Sequence, residues 1–173
     1  MPANFPDNPT SGDEAVLLGR TYVYDGKAWN IKNNDFDSPT FTGTSSFLGG
    51  AVFKAGVIES FTKFTGSVDA TLDHDCQNGH VFYHSPPTSD FAANVVNLDL
   101  DVNQTVTIII ILNQSATAFM VSGLQVDGVS VTITWQGGIV PSGTDNGIDA
   151  MAFTLLNDNG SYVVLGQSVP FGG

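Results

Sequence analysis

Basic residues run out early in this chain. Of 173 residues five are Lys or Arg against 17 Asp or Glu, for a formal net charge of −12. Residues 1–63 carry all five cations and a net charge of −2; residues 64–173 carry ten Asp and no Lys, Arg or Glu. Nucleic-acid binding needs cations that displace counterions from phosphate, so this balance excludes a polyanion partner. Internal Lys or Arg ion pairs are excluded from the long acidic stretch too. It must be held by packing and hydrogen bonds, and its copies repel one another until salt screens them. Cysteine is also scarce: Cys76 is alone, which rules out an intrachain disulfide framework. Long apolar runs are missing. The longest, Ile108 to Leu112, is five residues, while a membrane span takes about 20. The opening Met1-Pro2-Ala3-Asn4-Phe5-Pro6 is polar and proline-rich, unlike a secretory signal, so no membrane insertion is expected.

Glutamate occurs only at Glu14 and Glu59, whereas Gly, Thr and Asn abound. Strong helix formers give way to β-branched and turn residues, and no window shows a helical apolar period. An all-β fold is predicted, in three parts: an N-terminal hairpin module (1–35), a Gly/Ser/Thr/Phe stalk or linker (36–56), and an acidic antiparallel β-sandwich of jelly-roll type (57–173). Arg20 to Tyr24 and Lys27 to Ile31 read as strands joined by Asp25-Gly26, a dipeptide suited to a two-residue turn that would set Tyr24 opposite Lys27. Tyr22, Tyr24 and Trp29 then share a face too large for a lone hairpin to hide. Phe41, Phe47 and Phe53 recur every six residues, a multiple of the strand period of two. Three chains wound together would bury one phenylalanine each per layer; a glycine-rich linker is the alternative. Beyond Val57, short strands alternate with turn signals such as Gln77-Asn78-Gly79, Asp127-Gly128 and Asn159-Gly160, as in a sandwich or barrel. Val129, Val131, Ile133 and Trp135 alternate with polar residues as one strand with a wet face. The unbroken run Ile108–Leu112 predicts a strand covered on both sides.

Two stretches, taken in order, resemble tail-fibre and other virion structural proteins of tailed bacteriophages, marine ones especially. The first is Phe5-Pro6-x-x-Pro9-x-x-Gly12 followed by Tyr22-x-Tyr24-x-Gly26-x-x-Trp29. The second runs from Val81-Phe82-Tyr83 and Asn94 through Trp135-x-Gly137-Gly138-x-x-Pro141 and Asn146-Gly147-Ile148-Asp149. It continues with Phe153, Gly160-Ser161-Tyr162, Leu165-Gly166-Gln167 and Phe171-Gly172. The resemblance implies a virion part made in the host cytoplasm, often homotrimeric, with no catalytic residue and no cofactor. A tail fibre or appendage acting in assembly and host-surface adhesion is the leading expectation. Phe5, Tyr22, Tyr24 and Trp29 would dock on other virion proteins, and Phe41, Phe47 and Phe53 would trimerise the stalk. A capsid decoration protein and a module binding a host-surface glycan are the alternatives.

Other chemistry is weakly signalled. All three histidines and the cysteine fall between His74 and His84. A zinc or iron site using His74, Cys76, His80 or His84 is open, although His80 and His84 on one flat strand would stand about 13 Å apart. A hairpin turn with partly exposed histidines is the plainer expectation. Asp145 and Asp149 offer two carboxyl groups to a hydrolase, but the surrounding Gly-Thr-Asp-Asn-Gly-Ile-Asp loop suits capping of backbone amides. Tyr83, Tyr162 and Trp135 are the aromatics on which a sugar would stack, with Trp135 expected in the core.

Overall fold

A computed structural model describes residues 5–17, 20–32, 57–66 and 69–172. The chain divides into two compact units, Met1–Val52 and Phe53–Gly173. The stalk expectation, with Phe41, Phe47 and Phe53, lies outside the described residues.

The first unit is a three-stranded antiparallel sheet of β1 (Glu14–Leu17), β2 (Arg20–Tyr24) and β3 (Trp29–Ile31), in that order. Strand β1 was not anticipated. The β2–β3 register also corrects the expected one: Tyr24 lies opposite Trp29 and Tyr22 opposite Ile31. Asp25 is the cause. Its Oδ1 accepts from the amides of Lys27 and Ala28, both at 2.8 Å, and its backbone N–H donates to the Ala28 carbonyl at 3.1 Å. This side-chain turn spans four residues where two were expected. Those amide bonds also hold the Asp25 carboxyl below its ordinary pKa. None of the described residues of this unit is fully buried, so the sheet has no core of its own.

The second unit is all-β as well. A four-stranded sheet contains β5 (Thr71–Asp75), β7 (Phe91–Val96), β9 (Val121–Val126) and β10 (Val129–Val131). A six-stranded sheet contains β4 (Phe61–Thr65), β6 (Val81–Ser85), β8 (Thr105–Asn113), β11 (Ile133–Trp135), β12 (Ile148–Asp158) and β13 (Ser161–Phe171). The orders are β10-β9-β7-β5 and β11-β13-β12-β8-β6-β4. From β4 to β9 the chain alternates between the sheets, so sheet neighbours are two strands apart in sequence and run parallel. Only β9–β10, β12–β13 and β12–β8 are antiparallel. This corrects the expected antiparallel, jelly-roll arrangement. Turn signals alone do not distinguish a hairpin from a link that crosses to the other sheet.

One hydrophobic core takes residues from both sheets: Phe91, Val95 and Leu124 from the smaller, Phe82, Ile110 and Phe153 from the larger. In β8, Ile108, Ile110 and Leu112 are fully buried, whereas Ile109 and Ile111 lie half-buried on the other side. The expected strand Val129–Trp135 is two strands in different sheets. The chain changes sheet at Thr132, and Val131, Ile133 and Trp135 all still pack against the core.

Candidate functional site

The N-terminal aromatics come together as a cluster. The Phe5 ring stacks on Trp29 with centroids 5.0 Å apart and planes 11° apart, and meets Tyr22 edge-on at 5.1 Å. Tyr24 and Trp29 lie 5.5 Å apart. All four remain half-buried. Phe5, from the segment before β1, thereby joins the rings of the β2–β3 hairpin.

The histidine-rich stretch is not a hairpin. Strand β5 ends in a short 3₁₀ turn, Cys76–Asn78, where Asp75 Oδ1 accepts the Gln77 amide at 3.0 Å. Gly79 follows at φ 106°, beside the Ser60 carbonyl, where a Cβ would come within 3.0 Å. The chain thereby crosses from the four-stranded to the six-stranded sheet. His74 and His84 consequently face each other across the core, 0% and 1% exposed, with their Nε2 atoms 3.0 Å apart. Partial exposure was expected for both, and the structure corrects it. Phe64 stacks on His84 at 4.6 Å, and Phe82 and Phe91 complete the surrounding shell.

Hydrogen bonding fixes the tautomers. His74 Nδ1 lies 2.9 Å from the Leu72 carbonyl, so it carries the hydrogen and donates. His74 Nε2 is then an acceptor, which makes His84 Nε2 the donor to it. His84 Nδ1 is left as a buried lone pair with no partner. A proton can enter the pair only there, forming a buried imidazolium with no acceptor to meet it. Burial accordingly pushes His74 down to about 4, against smaller upward pulls from the Leu72 hydrogen bond and then Asp73, and burial together with His74 pushes His84 down to about 3. Sealed in this way, the pair offers no base to a solvent-borne substrate.

Cys76 and His80 do not join them. The Cys76 thiol is half-buried and 4.0 Å from the His74 carbonyl. Burial, then the charges of Asp75 and Asp127, push it up to about 11. A disulfide reagent should therefore label the folded protein at pH 8 roughly 100-fold more slowly than an ordinary thiol; equal rates would contradict this. His80 precedes β6 with its Nδ1 3.7 Å from Glu59. Among the described residues, no three His, Cys, Asp or Glu side chains form a group suited to a metal ion.

The two loop carboxyl groups are committed to nearby donors. Asp145 Oδ1 accepts the Ala118 amide at 2.9 Å. Asp149 is fully buried and accepts from Gln114 Nε2 and the Thr144 amide, both at 2.9 Å, and from Thr144 Oγ1 at 3.0 Å. Gln114 in turn bonds the Phe119 backbone through both ends of its amide. Sequence reading did not single out Gln114; nothing in Asn-Gln-Ser marks a buried amide. Trp135 lies over Gly166, where a Cβ would come within 2.8 Å of its ring, and edge-on to Phe153. Trp135 and Gly166 also line a shallow groove of about 410 Å³, together with Thr134, Gln136, Thr154, Leu165 and Gln167. No helix among the described residues is long and apolar enough to cross a membrane. The chain matches no family model, no curated protein and no solved structure.

Proposed function

We propose that this chain is a non-enzymatic structural protein of a tailed-phage particle, a tail-fibre or tail-appendage component that works by association. It acts as a homotrimer, contacts other virion proteins through Phe5, Tyr22, Tyr24 and Trp29, and adheres to the host surface. The observation that carries the reading is the aromatic cluster on a three-stranded sheet with no buried residue of its own. Burying those rings against a neighbour is the main favourable term left to this unit. The second unit is read as a β-sandwich, since both sheets contribute to one core. Its acidity keeps particles from clumping.

A glycan-recognition role is the second reading. The groove beside β11 favours it, because its two hydroxyl and two amide side chains suit sugar hydroxyl groups. Trp135 borders this groove while also packing against the core.

Quantitative mass spectrometry of purified virions tests the proposal. The expected result is a copy number in multiples of three at tail stoichiometry. Copy numbers that follow capsid symmetry would make the protein a head decoration, and absence from the particle would overturn the proposal.

A further inference from the structure

We infer that the outer face of the six-stranded sheet is the surface on which copies of this chain assemble, an inference that rests on the association reading above. The registers show which side chains share that face. Tyr83, Ile111, Ala150 and Val169 lie in one row across β6, β8, β12 and β13. Val81, Ile109, Ala152 and Gln167 form the next row. The margin along β13 is more open: Leu165 is 48% and Val169 47% exposed.

Charge is sparse on this face although the chain carries −12. Its outward positions hold Lys63, which lies over the Tyr83 ring at 5.8 Å, and Asp158 at the tip of the β12–β13 hairpin. The outer face of the four-stranded sheet is the opposite in character. There Asp73 pairs with Asn94 at 2.7 Å, and Asp75 bonds Asn97 at 2.9 Å. Two copies of so acidic a protein repel over most of their surface. Contact through this patch brings few carboxylates face to face.

Size agrees. Strands about 4.8 Å apart, rising about 3.3 Å per residue, give the sheet a footprint on the order of 700 Å². A standard specific interface takes about 800 Å² from each partner. The sequence carries the same message, because the unbroken Ile108–Leu112 run suits a strand covered on both sides, and one of those sides is this face. Rows of apolar side chains such as Ile111, Ala150 and Val169 interdigitate with those of a neighbouring copy. In the homotrimer three such faces line the common axis.

Sedimentation velocity on full-length chains tests this, with circular dichroism to check folding. Leu165→Asp combined with Val169→Asp places carboxylates on exposed strand positions and is expected to weaken association by roughly 100-fold or more. Leu165→Thr with Val169→Thr keeps strand propensity, guards against misfolding, and should weaken association to a smaller degree in the same direction. A third chain, Phe41→Ser with Phe47→Ser and Phe53→Ser, separates the two ideas. If it falls apart while both face variants assemble like the parent, the face is not the interface and the association reading stands. A parent chain that stays monomeric overturns both.

Discussion

Acidification from pH 7 to pH 4.5 is expected to destabilise the second unit by roughly 3–5 kcal/mol. The sign follows from the buried pair. Burial depresses both His74 and His84 below the ordinary value of 6.5, to about 4 and about 3. The unfolded chain therefore binds protons that the folded one refuses, and stability rises with pH wherever that difference persists. It is present in full above about pH 6.5 and is lost progressively as pH falls through about 4 and then 3. Against a total of about 5–15 kcal/mol for a typical domain, the loss is large. Carboxyl groups of ordinary acidity titrate at about 4, below most of this window, so the histidines dominate it. Urea unfolding at several pH values provides the measurement. The variant His74→Leu with His84→Leu keeps His80 and should be nearly flat between pH 6.5 and 4.5. A slope as steep as the parent's would remove the pair as its cause.

Asp149→Ala should cost about 4 kcal/mol, among the largest single-residue effects in the protein. The fully buried carboxyl group accepts three hydrogen bonds that tie Gln114 to Thr144. Through Gln114 it also fixes the Phe119 backbone. Truncation leaves one N–H of the buried Gln114 amide and the half-buried Thr144 amide without their acceptor, in addition to the lost bonds. Asp149→Asn keeps one carbonyl oxygen for two of those donors and presents its amide to the Thr144 hydroxyl, so it should cost about half as much. Urea midpoints for both variants decide the matter. A change below about 1 kcal/mol for Asp149→Ala would mean that the loop does not depend on this group.

The same dipeptide shows where sequence reading works and where it stops. Asp127-Gly128, expected as a turn, adopts φ 47° and 80° and joins β9 to β10 as a two-residue turn. Asp25-Gly26 does not, because the Asp25 side chain captures two amides and extends the loop. Nothing in the dipeptide itself separates the two outcomes; Asn30, whose Nδ2 reaches Asp25 Oδ2 at 2.9 Å, is part of the difference. The all-β class was legible from the scarcity of helix formers. The alternation of consecutive strands between sheets was not, since a crossing link and a hairpin use the same turn residues. Alternation at Val129–Trp135 correctly placed Val131, Ile133 and Trp135 toward the core but concealed the change of sheet at Thr132. The His74–His84 contact was hidden for a related reason. Strand parity compares residues within one strand, and these two belong to strands in different sheets.

Sedimentation equilibrium of the full-length chain at micromolar concentration and physiological salt tests the central claim most directly. An association protein with a charge-poor sheet face and a half-buried aromatic cluster should weigh three times 18.2 kDa. Because salt screens the acidic surface, the trimer should strengthen as ionic strength rises. A mass of 18.2 kDa at every concentration and salt level would contradict the account.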